Sequence, residues 1–158
     1  MKKAAAILLA ALVVALASVA PAAAKSPKRN GAYGGSAVSI AQAAALGNAN
    51  AQMRLGFMYE YGRGIPQDYL LAAYWYRRAA EQGNPRGQHL LGLMYDRGLG
   101  VPNDYVEAYK WLNLAAASAG GGDREYFTRV RDAVASKMSL REMAVSQRRG
   151  RGWLPFPE

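Results

Sequence analysis

Apolar side chains in this chain recur three and four positions apart in short blocks separated by glycine, and the blocks themselves recur. Ala51, Leu55, Met58 and Tyr59 share one face of a 3.6-residue wheel, and Gly87, Leu91, Met94 and Tyr95 share the matching face of another. After each block a second stripe follows, Ala72, Trp75 and Ala79 in the first case and Ala108, Trp111 and Ala115 in the second. Small residues beside a large indole let two helices approach closely, with the ring filling the space between them. The pattern predicts two pairs of helices, a helix A and a helix B in each unit.

Sliding the chain on itself gives a period of 36 residues, with 16 identities between the units and no gap, from Gly47 and Gly83 through to Ala80 and Ala116. The punctuation repeats as well. Asn48 and Asn84 are N-cap residues for helix A, and Pro85 occupies a first helical position where a missing N–H costs nothing. Gly62 and Gly98 are placed to end helix A in a left-handed conformation. Gly64, Gly100, Pro66 and Pro102 then hold the chain out of helix until Asp68 and Asp104 cap helix B, and Asp104 with Glu107 has capping-box spacing.

The run Leu55-Gly56-x-x-Tyr59-x-x-Gly62-x-Gly64-Ile65-x-x-Asp68, then Ala72-x-x-Trp75-Tyr76-x-x-Ala79-Ala80-x-x-Gly83, resembles a Sel1-like repeat, a relative of the tetratricopeptide repeat. Leu91 to Gly120 is the second copy, with Leu112 where the family often has a second aromatic and one extra residue before Gly120. The resemblance implies an all-α fold, a short right-handed α-solenoid of two full helix-turn-helix repeats acting as adaptor or scaffold for protein assembly. The repeats are expected at about 47–82 and 83–119, inside a repeat domain spanning 36–149.

The flanks read as caps, at about 36–46 and 123–149. Ser36 to Leu46 aligns with the last helix of a repeat and lacks the tryptophan, as suits an outer half-repeat. Beyond Gly120-Gly121-Gly122, the residues Phe127, Val130 and Val134 keep a helical stripe, and Ser139-Leu140-Arg141-Glu142 announces a further helix through a capping box. The stretch 25–35 is basic and rich in Gly, Ser and Pro, and is expected to be a disordered leader. An irregular tail is expected over 150–158.

The amino terminus changes the cellular context. Met1-Lys2-Lys3 is followed by a small-apolar run from Ala4 to Ala20 and by Ala22-Ala23-Ala24, an A-x-A processing site, so 1–24 is expected to be a signal peptide. A retained anchor helix is the alternative; the absence of cysteine rules out a lipoprotein anchor. The protein is thus expected in the periplasm or secreted, without a membrane span after cleavage, and without disulfides to staple it. Removing Lys2 and Lys3 takes the formal charge from +9 to +7, which favours acidic partners.

Candidate catalytic groups are scarce. His89 is the single histidine and cysteine is absent, so three-histidine and cysteine-histidine zinc sites cannot be assembled within one chain. No Gly-x-Ser-x-Gly elbow accompanies His89, Asp68 and Asp104 are accounted for by capping, and the Gly62-Arg63-Gly64 and Gly98-Leu99-Gly100 turns lack the Lys-Ser/Thr pair of a phosphate loop. No catalysis, cofactor or metal is therefore expected.

Helix A carries a second face on which the two copies differ. Asn50, Met53, Arg54, Phe57, Glu60 and Tyr61 become Arg86, His89, Leu90, Leu93, Asp96 and Arg97. In the related solenoids this side lines the concave surface, so the expected partner-binding groove comprises Arg54, Phe57, Tyr61, Arg86, His89, Leu93 and Arg97. Packing of Phe57 and Leu93 against the neighbouring repeat is the competing account. A protein partner with acidic and apolar features is expected, with an anionic envelope surface as a further candidate. Arg148-Arg149-Gly150-Arg151-Gly152-Trp153 pairs cations with an indole, but export argues against nucleic acid. A cell-envelope polymer-modifying enzyme and a structural subunit of an envelope assembly remain as alternatives.

Overall fold

The computed structural model describes residues 36–152, and these form seven helices joined by short turns with no strand among them. They are α1 (Ala37–Ala45), α2 (Ala49–Tyr61), α3 (Tyr69–Glu81), α4 (Pro85–Arg97), α5 (Tyr105–Ser118), α6 (Gly121–Ala135) and α7 (Leu140–Arg151). The expected signal peptide, the leader 25–35 and the last six residues of the chain lie outside the described residues.

The helix ends follow from the residues that punctuate them. Asn48 and Asn84 accept from the N–H groups of Ala51 and Gly87, and Asp68 from that of Leu71. Gly62 and Gly98 take φ of 63° and 67°, closing α2 and α4 in the left-handed conformation. Ser139 and Glu142 form the complete capping box of α7. At α5 only half of the expected box exists. Asp104 accepts from Val106 and Glu107 N–H, but the Glu107 carboxylate turns away to Lys110 and Arg149.

Each A helix packs on its own B helix, and each B helix on the next A helix, so α1 covers α2 as α3 covers α4. Trp75 and Trp111 are each 3 % exposed, inside a core built with Leu55, Leu91, Tyr76, Leu112 and a row of alanines. The approach within a pair is set by Gly56 and Gly92. A Cβ on Gly56 would lie 2.6 Å from the Tyr76 ring, and one on Gly92 2.7 Å from Leu112. The all-α solenoid inferred from the repeat is the architecture found.

At the carboxyl end, α6 packs on α5 through Phe127, and α7 returns across α5. Helix α6 starts at Gly121, two residues before Asp123, which puts that carboxylate in the first turn near the positive end of the helix. A turn at residues 136–139 separates α6 from α7, the further helix that the Ser139 capping box announces, and α7 continues to Arg151 where an irregular tail was expected from Gly150.

Candidate functional site

Adjacent A helices α2 and α4 touch, whereas the B helices α3 and α5 approach less closely, so the solenoid curves with its A helices on the inner side. The variable residues of α2 and α4 fall on this side, joined by α6 as a third wall. The structure divides them into packed and open groups.

His89 belongs to the packed group. It is 5 % exposed, its ring stacks on Phe127 of α6 at 4.3 Å between centroids, and Tyr126 lies 5.4 Å away. Its Nδ1 is buried without a hydrogen-bond partner among the described residues. Burial lowers its pKa to about 4, the Asp123 carboxylate partly opposes that shift and Arg97 adds to it, so the imidazole is neutral at pH 7. The expectation that His89 is an accessible groove residue is corrected here, because α6 covers it.

Glu60 is also packed, at 7 % exposure, and accepts a 2.6 Å hydrogen bond from the Tyr76 hydroxyl. One repeat later both partners change together. Leu112 replaces the phenol, and Asp96 receives Lys137 at 2.6 Å instead. The acid at this position is therefore structural in both units, with a donor drawn from a different element each time.

The open group lies toward the carboxyl ends of α2 and α4. Tyr61 is 51 % exposed, and its ring lies 4.5 Å from that of half-buried Phe57, over which the Arg63 guanidinium sits at 5.1 Å. The exposed Arg97 is within electrostatic reach of both the Tyr61 phenol and His89. Tyr126 of α6, 49 % exposed, adds an aromatic ring beside His89 on the next wall. Leu93 and Arg54 are half-buried on the same helices. At the other end of the A helices, Arg86 is held by Asp123 at 3.1 Å, beside a cleft of about 330 Å³ lined by Asn50, Met53, Asn84 and Gly120. Tyr61, Phe57 and Arg97 thus come together, while Arg86 belongs to a separate cleft. Tyr126 and Arg63 were missed because neither lies on the variable face of the two aligned A helices.

A second missed feature is a pair of buried glutamines. Gln52 and Gln88, at 0 % and 1 % exposure, donate to the Ala44 and Ala80 carbonyls at the end of the preceding B-type helix. Their Oε1 atoms accept from Gln82 and Ser118, which are themselves 36 residues apart. The signal was present in the sequence as a polar identity on an otherwise apolar repeat, and it marks the joint between units.

Among the described residues no group of three or more His, Asp or Glu side chains is arranged to hold a metal ion, and no helix is long and apolar enough to cross a membrane. The family model of the Sel1 repeat matches residues 49–84 and 85–119. A Sel1 repeat protein from Oxalobacter formigenes is 39% identical, with a TM-score of 0.53, over 57% of this chain and 68% of its own. A protective antigen present in uropathogenic Escherichia coli strains, displaying an SLR fold, is 26% identical with a TM-score of 0.67 over 96% of this chain. The match covers only 29% of that antigen's length. A search of the curated proteins returns no match.

Proposed function

The chain belongs to the Sel1 repeat family, whose members are generally protein-interaction scaffolds without enzymatic activity, and from that premise we propose that it is an exported adaptor that holds a partner segment against the inner face of its A helices. The observation that carries this reading is the cluster of Phe57, Tyr61 and Arg97, in which a half-exposed aromatic ring stands near a cation, with the half-exposed Tyr126 beside His89 on the neighbouring wall. Aromatic and arginine side chains are the residue types that dominate binding energy at interfaces. A matching partner presents apolar and acidic groups. The overall positive charge would also suit an anionic envelope surface.

Export rests on the Lys2-Lys3, apolar run and A-x-A pattern, and it is tested by cell fractionation and amino-terminal sequencing of the processed chain. Groove binding is tested by crosslinking the tagged protein in its native envelope and comparing wild type with Tyr61→Ala and Arg97→Ala. Both side chains are exposed, so the variants should melt like wild type while the crosslinked partner is lost. Phe57→Ala and Leu93→Ala should weaken capture as well. An undiminished crosslink in Tyr61→Ala, Arg97→Ala and the double variant would refute the groove. Hydrolysis of an envelope polymer by the purified protein, abolished in His89→Ala, would instead favour an enzyme.

A further inference from the structure

Positive charge is unevenly distributed along the described residues. From Ser36 to Ser139 there are 11 Lys and Arg against 9 Asp and Glu, whereas α7 carries 4 Arg against Glu142 alone. Contacts with α5 decide which of these charges faces outward. Ser146 Oγ donates to the Val106 carbonyl at 2.7 Å, and Arg149 pairs with Glu107 at 2.9 Å. Burial alone would raise the Glu107 carboxyl, but the hydrogen bonds and charges of Lys110 and Arg149 outweigh it and hold the group below the ordinary carboxylate value. Glu142 is also committed, since it accepts from the Ser139 N–H and hydroxyl at 2.8 and 2.7 Å.

What remains on the far side of α7 is Arg141, Arg148 and Arg151. They stand at positions i, i+7 and i+10 of one helix face, all are exposed, and none forms an ion pair with a described residue. The helix macrodipole accounts for Arg148 and Arg151 in the last turn but not for Arg141, the second residue of α7, where a cation is disfavoured. Leu140, 85 % exposed, stands at the start of the same face. Beside this face, a cleft of about 270 Å³ between α7 and α5 is lined by Asn113, Gln147, Gly150 and Arg151, with no carboxylate in its wall. Arg131 donates to Asn113 Oδ1 at 3.3 Å, but its guanidinium is paired with Asp132 at 2.7 Å, so Arg151 supplies the unpaired guanidinium of the cleft.

We propose that the outer face of α7 is a docking surface for an anionic phospholipid bilayer, with Arg141, Arg148 and Arg151 on the headgroup phosphates and the cleft beside Arg151 receiving one headgroup. Guanidinium groups and amides without a competing acid match phosphate oxygens. The face offers only Leu140 and Ala144 as apolar groups, whereas a protein interface is organised around a desolvated apolar centre. A laterally extended layer of negative charge needs no such centre. The chain continues past Gly152 with Trp153, Leu154 and Phe156, the apolar and aromatic types that favour the bilayer interface. This inference does not depend on the groove of the A helices.

The test is co-sedimentation of the full chain with vesicles of phosphatidylglycerol in phosphatidylcholine and with vesicles of phosphatidylcholine alone, for wild type and for R141Q/R148Q/R151Q. Arg149, Ser146 and Glu107 are left in place, so α7 keeps its seat, and a thermal melt checks this. Each arginine near an anionic surface contributes roughly fivefold, so the variant should lose on the order of 100-fold in partitioning to anionic vesicles at low salt. High salt should remove most of the difference. The apolar amino-terminal run is common to both proteins, so partitioning to neutral vesicles should be the same for each. Equal binding of wild type and variant to anionic vesicles would overturn the proposal. So would arginine-dependent binding to immobilised polyglutamate without any preference for anionic vesicles, which would assign the face to an acidic protein.

Discussion

Lowering the pH should loosen α6 from α4 through one residue, His89. The ring is 5 % exposed, stacked on Phe127, and faced by Asp123, Arg97 and Tyr126. Its folded pKa of about 4 lies below the ordinary 6.5, so between these values the unfolded chain binds the proton more readily than the folded one. Stability from this group is therefore complete above pH 6.5 and falls as pH drops toward 4. A displacement of that size corresponds to about 3 kcal/mol once the pH lies below both values, reduced to the extent that water reaches the ring as α6 moves. His89→Phe keeps an aromatic ring against Phe127 and removes the proton site. Urea melts at pH 7 and pH 4 measure both proteins, and their difference cancels the acid titration of Glu107 and the other carboxylates. Wild type should lose about 2–3 kcal/mol more than His89→Phe between these pH values. Equal losses in the two proteins would show that the imidazole is hydrated, and the account of its burial would fail.

The remaining expectations concern the repeat core and its joints. Trp75→Ala and Trp111→Ala remove indoles that are 3 % exposed and should each cost about 3–5 kcal/mol in thermal or urea melts, whereas Arg63→Ala in an exposed turn should change stability little. Gln88→Leu strips the hydrogen bond at the Ala80 carbonyl and the acceptor of Ser118, and should cost about 1–3 kcal/mol despite adding apolar surface. Amide hydrogen exchange should place the loss at the junction of α3 with α4.

The two repeats were legible because identity at a period of 36 reports three constraints at once, namely cap, stripe and turn. Asn48 and Asn84, Trp75 and Trp111, and Gly62 and Gly98 all occupy the positions that their chemistry predicts. The site was legible only in part, because a helix face that varies between repeats need not be exposed. Met53 and His89 are equivalent by sequence, yet α6 closes over His89, and nothing in the repeat itself announces how the chain beyond Gly120 returns. Glu60 shows the same limitation, since a charged residue on a variable face is buried by Tyr76, sixteen positions away.

The carboxyl end shows why a solenoid of two repeats needs a different partner at its last B helix. In the first unit, the turn of the following repeat covers the start of α3. A Cβ on Gly100 would fall 2.0 Å from the Tyr69 carbonyl, so that turn is already in contact. No third turn follows α5, and the equivalent surface at Tyr105 and Val106 is covered by Lys137 and by Ser146 of α7. The contacts that replace the turn are a cation over a ring, a hydroxyl on a carbonyl and the Glu107 ion pairs, which are polar and specific to this end. Met143 of α7 adds an apolar contact with the core on the same side, and the opposite face of α7, with Arg141, Arg148 and Arg151, stays exposed. A repeat can therefore end without leaving its B helix uncovered and still leave the arginine face of α7 to an outside partner.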